Sequence, residues 1–173
     1  MVFSLPTLLR VALGRPPKLV CSPQIWNQGV DELKRRAAGE HESGAFLLGS
    51  PKGRTRRIHE FLFYDDVDPH CFDNGIVEFD GSRFGLVWQK CSELKMAVVA
   101  DVHVHPGRYG QSKTDRYNPM IPEAGHLALI IPDYAARARL PQRIGVYEYL
   151  GSRKWLDHSS KGDEILHLGW WLQ

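Results

Sequence analysis

Apolar residues in the first third of the chain first recur at helical spacing and then form an unbroken run. Ser22 and Pro23 predict a helix start, with Ser22 as the N-cap and Pro23 at the first helical position. The apolar residues that follow share one helical face and precede Gly39, a typical stop: Trp26, Val30, Leu33 and Ala37. Residues 44–49 are then continuously apolar between glycines, which predicts a buried strand.

The middle of the chain predicts a hairpin, a loop and a second helix. Residues 57–65, rich in aromatic and branched side chains, read as the hairpin partner of the apolar run. Residues 65–74 form an irregular polar loop, and residues 75–79 suit a further strand. Asp80 or Ser82 caps the second helix, whose apolar side holds Phe84, Val87, Trp88, Cys91 and Leu94.

The rest of the chain predicts more strands than helices. A short helix is expected over 112–117, and strands over 95–106, 126–132, 144–150 and 153–156, before residues 165–172 close the chain. Strands interrupted by helices indicate an α/β or α+β class around one sheet. The length of 173 residues suits one domain. Because a Gly-Arg-Pro-Pro break ends at Pro17, residues 1–17 are expected to be an N-terminal arm and residues 18–173 the domain.

Composition and charge place the chain among ordinary globular proteins. The apolar fraction is 43% and the charged fraction 24%, both normal values. A net charge of +2 with a pI near 8.5, without interleaved basic and aromatic residues, argues against nucleic acid as a partner. The local basic run over residues 52–57 is better explained as a solvated turn than as a docking site.

The cysteines and the lack of a targeting signal favour the cytoplasm. Cys21, Cys71 and Cys91 are odd in number and show no Cys-x-x-Cys, so neither a disulfide scaffold nor a zinc knuckle is expected. Cys21 and Cys91 suit small core positions in a reducing compartment. Pro6 and Arg10 interrupt the apolar start, unlike a signal peptide, and no stretch is long enough to cross a membrane.

The most informative segment is the strand predicted around His103 and His105. Side chains alternate along a strand, so both imidazoles point to one face while Val102 and Val104 point into the core. Two imidazoles that converge from one strand suit a pair of zinc ligands. Pro106 stops ladder pairing, which places the pair at a strand end, where sites in open sheets commonly lie.

A catalytic zinc site needs a third ligand and a base. Asp115 follows His105 closely enough for one loop to fold back and supply the third ligand. Three protein ligands leave one tetrahedral position for water, whose pKa zinc lowers to roughly 7. A carboxylate from elsewhere in the fold can take the proton and later give it to a leaving amine.

Each of these residues also has a simpler interpretation. Strand His-x-His pairs often bind no metal. Ser112 and Asp115 fit a capping-box variant, which can coexist with ligation. Glu42 alone suits a solvated charge, and Asp101 suits either a partner of a ligating imidazole or a surface charge. The other histidines lack ligand spacing and are expected to be ordinary polar or core residues: His59, His70, His126, His158 and His167.

Other metal folds with paired histidines fit poorly. A TIM-barrel hydrolase typically needs about 250 residues. A zinc deaminase would carry His-x-Glu and Pro-Cys-x-x-Cys, and neither is present. The His-Glu-x-x-His helix of other metalloproteases is also absent.

Taken together, the residues resemble the JAMM motif of the JAB1/MPN/Mov34 metalloprotease family. The resemblance rests on Glu42 ahead of the strand over 44–49, then His103-Val104-His105-Pro106, then Ser112-x-x-Asp115. Val104 stands where the family often has Ser or Thr, and the spacing from His105 to Asp115 is slightly short. The similarity spans roughly residues 19–156. It implies a single JAB/MPN-like, cytidine-deaminase-like α/β domain with a central mixed sheet flanked by two main helices.

The resemblance also implies a role for each residue of the motif. His103, His105 and Asp115 would bind Zn²⁺. Glu42 would hold the zinc water and act as base, then acid. Ser112 would donate a hydrogen bond to the tetrahedral oxyanion, which can lower a barrier by a few kcal/mol.

The chain is similar to the stand-alone bacterial, deubiquitinase-like branch of that family. This implies cleavage of an isopeptide or peptide bond after the C-terminal glycine of a ubiquitin-like modifier, often made alongside activating and conjugating enzymes. The tail of the modifier is expected to add to a sheet edge as a strand, gripped by residues 65–74 and 133–143. Neither nucleic acid nor a membrane is expected as a partner.

Three alternatives stay open. The same site would serve a peptidase acting on the C-terminus of a sulfur-carrier protein. A non-catalytic MPN-type scaffold is also conceivable, although such relatives typically lack the zinc ligands that this chain keeps. The third is a metal-dependent hydrolase that acts on nucleic acid or on a small amide. The weak net charge argues against nucleic acid as its substrate.

Overall fold

A mixed β-sheet runs through the centre of the computed structural model, which describes residues 16–52, 54–137 and 139–169. Its strands are β1 (Leu19–Cys21), β2 (Gly44–Lys52), β3 (Thr55–Phe63), β4 (Ala97–Val104), β5 (Leu127–Ile131), β6 (Gly145–Gly151), β7 (Lys154–Asp157) and β8 (Leu166–Leu168). Their order across the sheet is β7-β6-β5-β4-β2-β3-β1-β8. β4 lies in the middle, antiparallel to β2 and parallel to β5.

Two longer α-helices and three short ones accompany the sheet in the described residues. They are α1 (Pro23–Ala37), α2 (Tyr64–Val67), α3 (Phe84–Leu94), α4 (Lys113–Tyr117) and α5 (Gly162–Ile165). α1, with 15 residues, is the longest in the part of the chain that the structure describes, and none of these helices combines the length and apolarity that a bilayer crossing requires.

The start of α1 follows the capping chemistry of its sequence. Ser22 Oγ accepts the Ile25 N–H at 3.2 Å, and Pro23 opens the first turn. The chain leaves the helix at Ala38, one residue before the predicted glycine, with a left-handed φ of 53°. The apolar face is fully buried, as predicted: Trp26, Val30, Leu33 and Ala37.

The two faces of the sheet carry separate hydrophobic cores because side chains alternate along each strand. Ala45 and Leu47 of β2 belong to the core that contains the apolar face of α1. Phe46 and Leu48 belong to the opposite core, which contains Val87 of α3. One main helix therefore covers each face, which confirms a single α/β domain with a central mixed sheet and two main helices.

The sheet is curled, which brings distant strands together. Lys18, next to β1, forms an ion pair with Glu148 of β6, and Glu148 also bonds to His158 Nε2 at 2.8 Å. Arg56 Nη2 of β3 donates to the Gly125 carbonyl at 3.2 Å, although β2 and β4 separate β3 from β5 in the sheet order. These polar contacts lie at the ends of the strands opposite to the paired histidines.

Several predicted elements need correction. Residues 75–79 form no strand, because their backbone bonds instead to Glu42 and Cys71. The loop over 65–74 is less irregular than expected, because it begins in α2 and buries Cys71 completely. Trp88 is 48% exposed rather than packed in the core. Residues 1–15 of the expected arm lie outside the described residues.

The three cysteines are free and buried, as expected for Cys21 and Cys91. Burial raises the pKa of the Cys21 thiol to about 12, although the Trp26 backbone and Arg57 oppose the shift. Burial also raises the pKa of Cys71 to about 12. Both thiols therefore stay protonated and serve as small packing groups.

Candidate metal centre

His103 and His105 lie side by side at the end of β4. His105 follows the last residue of the strand, and its N–H continues the ladder by donating to the Ile131 carbonyl at 2.9 Å. The two Nε2 atoms face each other at 2.9 Å, and the residues are only 8% and 7% exposed. Val102 and Val104 are fully buried in the opposite core, so the predicted alternation is confirmed.

Asp115 completes the group from the first turn of α4. Its Oδ1 lies 3.5 Å from His103 Nε2, and its Oδ2 lies 3.4 Å from His105 Nε2. The same carboxylate belongs to a capping box with Ser112, whose Oγ accepts the Asp115 N–H at 3.1 Å while its own N–H donates to Oδ2 at 2.6 Å. The Asp115 carboxylate therefore caps the helix and faces the imidazoles at the same time, because the capping box fixes it where the histidines converge.

The spacing of these donor atoms fits one metal ion. Tetrahedral zinc with bonds of about 2.0–2.1 Å holds its donor atoms about 3.3 Å apart. Here the two Nε2 atoms are 2.9 Å apart. Asp115 Oδ2 lies 3.4 Å from His105 Nε2, and the other oxygen, Oδ1, lies 3.5 Å from His103 Nε2. His103, His105 and Asp115 could therefore hold a metal ion, and no second such group occurs in the described ranges. Two imidazoles and a carboxylate suit several divalent metals, zinc among them.

Glu42 lies beside this group, immediately before β2. Its Oε1 is 3.6 Å from His105 Nε2, while its Oε2 accepts the Val77 N–H at 3.0 Å. The Glu42 N–H also donates to the Gly75 carbonyl at 3.0 Å. Residues 75–77, which the sequence assigned to a strand, thus anchor one oxygen of this carboxylate and leave the other facing the histidines.

The electrostatics of the site keep the Asp115 carboxylate ionised next to the two imidazoles. Burial lowers the pKa of His103, but the hydrogen bond and charge of Asp115, with Glu42 and Asp101 further away, outweigh it and raise that pKa. Burial raises the pKa of Asp115, but the two histidines and the Ser112 N–H outweigh it and hold that pKa well below its usual range. Asp115 is therefore ionised at any ordinary pH, as a metal ligand must be.

Ser112 lies at the edge of the group and is exposed. Its hydroxyl oxygen accepts the Asp115 N–H, which leaves its proton available to donate. The structure thus brings together Glu42, His103, His105 and Asp115, and attaches Ser112 to them through the cap.

Sequence reasoning missed a buried polar chain next to the histidines. Asp101 is 3% exposed, so it is no surface charge, and His126, expected to be ordinary, lies 2.6 Å from it through Nε2. The Tyr64 hydroxyl donates to the other Asp101 oxygen at 3.5 Å. A local signal did exist, because Asp101 lies two residues before His103 on the same strand face. The pairing of β4 with β5, which brings His126 close, has no such signal.

A left-handed turn after β5 clamps the backbone of the histidine segment. Asp133, Tyr134 and Ala135 have φ values of 53°, 49° and 60°. The Tyr134 N–H donates to the His105 carbonyl at 2.8 Å, and the Asp133 N–H donates to the Gly107 carbonyl at 2.9 Å. Left-handed backbone costs roughly 1–3 kcal/mol per non-glycine residue and persists only where the surroundings impose it. Here it holds the loop that follows the second imidazole.

Comparisons with known proteins show the fold and nothing finer. No family model matches the chain. The solution structure of a protein from Desulfitobacterium hafniense is similar, with a TM-score of 0.60 over 87% of this chain and 92% of that chain, at 13% identity. The solution structure of a protein from Salinibacter ruber (strain DSM 13855) gives a TM-score of 0.52 over 79% and 86%, at 19% identity. Identities this low show a shared α/β architecture alone.

Proposed function

We propose that this protein is a JAMM-type zinc peptidase that cleaves after the C-terminal glycine of a bacterial ubiquitin-like modifier. The observation that carries the proposal is the placement of Glu42 Oε1 3.6 Å from His105 Nε2, beside three convergent ligand side chains. A three-ligand group with an adjacent carboxylate suits hydrolysis better than a structural metal site, which commonly uses four protein ligands.

The order of elements supports assignment to the JAB/MPN fold. Along the chain come α1, Glu42 with β2, the partner strand β3, α3, the histidine strand β4, and then α4 with Ser112 and Asp115. This is the order that the sequence resemblance implies.

In this proposal each side chain has a defined task. Zinc, when held by His103, His105 and Asp115, would supply a water whose pKa is lowered far below that of bulk water, to roughly 7. Glu42 accepts a proton on its free oxygen and returns it to the leaving amine, while Val77 keeps the other oxygen fixed. Ser112 donates its hydroxyl proton toward the oxygen on which negative charge develops.

The modifier tail would approach as an extended chain along a sheet edge, with activating and conjugating enzymes as further partners. Residues 65–74 and 133–143 remain candidates for gripping it. The second segment is partly anchored to α1, because the Arg139 carbonyl accepts the Trp26 indole N–H at 2.7 Å and its guanidinium pairs with Asp31 at 2.6 Å. Because this segment is anchored to α1, it is suitable as a wall for an incoming peptide.

The test is cleavage of ubiquitin-like proteins fused after Gly-Gly to a reporter, by the zinc-loaded protein. We expect cleavage at the glycine, abolished by a chelator and restored by zinc. Glu42→Gln should keep zinc and lose activity, whereas Glu40→Gln, at an exposed neighbouring carboxylate, should cleave normally. Cleavage that persists in Glu42→Gln, or zinc that fails to bind, contradicts the mechanism.

Two alternatives share the proposed site or fold. A sulfur-carrier protein as substrate would use the same residues, and fusions ending in a sulfur-carrier tail separate it from a modifier. An MPN-type scaffold predicts protein without zinc and without cleavage of any fusion, and metal analysis decides this case.

A further inference from the structure

A cavity of about 450 Å³ opens directly beside the metal ligands. His103 and Asp115 form part of its wall, and Asp101 and Tyr64 line it further along. The proposed reaction does not use this space, because a modifier that ends in glycine has no side chain at the bond to be cleaved. The residue on the leaving-group side of that bond, by contrast, carries a side chain that can fill the cavity.

The wall of the cavity is rich in carboxylates. Besides Asp115, three carboxylates line it: Glu78, Asp80 and Asp101. No lysine or arginine is among the lining residues that the structure describes. Asp101 is already bonded to His126 and Tyr64. The exposed Glu78 and Asp80 accept hydrogen bonds from the neutral side chains of Asn74 and Ser82, so the hydrogen bonds they make leave their negative charge unneutralised. Such a wall favours a cation over a neutral or acidic group.

The remaining wall is largely apolar and aromatic. Phe79, Phe84, Met120 and Trp155 line the cavity, and the Trp155 ring is held by its indole N–H, which donates to the Arg116 carbonyl at 3.1 Å. Lysine and arginine side chains have an apolar stem and a charged head, so they match aromatic walls combined with carboxylates. A cation near an aromatic face gains a further attraction, greatest for tryptophan.

One buried donor in the wall has no partner. Gln111 lines the cavity, and its Nε2 atom is buried and makes no hydrogen bond with the described residues. Buried polar groups are nearly always bonded, and the exceptions need an explanation. An amide N–H₂ needs an acceptor, and a rotation of the Gln111 side chain toward the cavity would bring it to the peptide carbonyl of a bound residue.

From these features we infer that, at a peptide bond, the cavity binds a basic side chain, lysine or arginine, of the residue that follows the cleaved bond, with Gln111 donating to that residue's carbonyl. This inference names the substrate class of the proposed peptidase and rests on that function. The cation preference of the cavity itself does not depend on hydrolysis, so it can be measured separately.

The first measurement is binding of four small probes to the zinc-loaded protein: the Nα-acetyl amides of arginine, lysine, norleucine and glutamate. Binding is followed by the indole N–H resonance of Trp155, assigned with Trp155→Phe. We expect the arginine and lysine probes to bind about tenfold more tightly than the neutral norleucine probe. The double variant Glu78→Gln, Asp80→Asn should lose this preference. Glu93→Gln, which removes an exposed carboxylate outside the cavity, should keep it.

The second measurement is cleavage of fusions in which the glycine is followed by arginine, lysine, alanine or glutamate. We expect kcat/KM about tenfold higher for the basic residues than for alanine, and lowest for glutamate. Gln111→Ala should lower kcat/KM for all four fusions by a similar factor, because the carbonyl is common to them. Gln111→Glu, which replaces the donor by an acceptor, should do no better than alanine.

The outcomes separate the two proposals. Equal binding of all four probes, or no change in the double variant, overturns the cavity assignment even if every fusion is cleaved. Preferential binding of the basic probes without cleavage of any fusion supports the cation site and overturns the peptidase. Cleavage with a preference for alanine or glutamate overturns the inference and leaves the peptidase standing.

Discussion

The Glu42 carboxylate is held by one oxygen and presented by the other: Oε2 accepts the Val77 N–H at 3.0 Å, and Oε1 lies 3.6 Å from Nε2 of His105. A carboxylate fixed in this way cannot rotate without losing a hydrogen bond. Its free oxygen therefore stays aimed at the point where the imidazoles and Asp115 converge. This is the arrangement that proton transfer requires, since a base must be positioned before its pKa matters.

Glu42→Gln should separate metal binding from chemistry. Glutamine keeps the size of the side chain and a carbonyl oxygen for the Val77 N–H, but it cannot accept a proton. We expect full zinc content and a fall in kcat/KM of about 10²–10⁴-fold. Metal analysis and fusion cleavage measure the two effects. Activity within a few-fold of the parent protein would show that proton transfer passes through another group.

Zinc binding should depend on each of the three proposed ligands. His103→Ala, His105→Ala and Asp115→Ala should each reduce the zinc content from about one ion per chain, because a catalytic zinc site needs three protein ligands and each variant leaves only two. Free zinc at 100 times its Kd should stabilise the parent protein by about 2.7 kcal/mol, visible as a higher Tm.

The matched control is His70→Ala, since this ring is 78% exposed and bonds to Asp73 outside the group. It should bind zinc like the parent. Equal zinc content in all four variants would place the metal elsewhere.

The central part of the site was predictable because it depends on local rules. The strand period places His103 and His105 on one face whatever the rest of the fold does, and capping chemistry places Asp115 in the first turn of a helix beside Ser112. Both features hold in the structure.

Features that depend on tertiary register were not predictable in the same way. His126 meets Asp101 only because β5 pairs in parallel with β4, with Ala128 opposite Asp101. Residues 75–79 have strand-like composition, yet their N–H groups are used by Glu42 and by Cys71 in the preceding loop. The sequence carries no signal for either choice, because both are decided by partners far along the chain.

Gly44→Ala should disturb both stability and the metal centre. A Cβ at this position would lie 2.3 Å from Cε2 of Tyr64 and 3.0 Å from the Val102 carbonyl oxygen, so one of them must move. Gly44 is also the β2 partner of His103, so the displacement reaches a ligand. We expect a loss of about 1–3 kcal/mol in the free energy of unfolding, with weaker zinc binding.

Gly85→Ala is the control for this substitution. Gly85 lies in α3 with no atom within 4 Å of an added Cβ, so alanine should stabilise the helix by roughly 0.5–1 kcal/mol. Urea unfolding measures both variants, and destabilisation of the same size in each would refute the steric argument.

The Asp101–His126 contact should contribute far more to the free energy of unfolding than a surface pair of the same type. Both side chains are buried, at 4% and 5% exposure, so Asp101→Ala leaves a buried imidazole without its partner. We expect a loss of about 3 kcal/mol in unfolding free energy. Asp73→Ala removes the equivalent partner of His70, where the side chains are 65% and 78% exposed, and should cost less than about 1 kcal/mol. Similar losses would mean that burial does not set the strength of the contact.

The zinc-induced rise in Tm should shrink as the pH falls. Asp115 raises the pKa of His103 above the usual value of 6.5, so in the metal-free protein the ring is protonated below that raised pKa. This pairing stabilises the metal-free protein fully below about pH 6.5 and is lost as the pH rises through the raised pKa. Zinc needs the neutral ring, so each proton that it displaces lowers its affinity about tenfold per pH unit below that pKa. Asp115, whose pKa is lowered, stays ionised and adds no competing proton.

Both effects act in the same direction on the difference between the metal-loaded and metal-free proteins. Melting curves with and without zinc at pH 8, 7, 6 and 5.5 should therefore converge toward low pH. Calorimetric titration in buffers of different ionisation enthalpy should show proton release that grows over the same range. His103→Ala, which lacks the titrating ring, should show little zinc effect at any of these pH values. A zinc-induced shift that is constant, or that increases toward pH 5.5, is incompatible with ligation through His103.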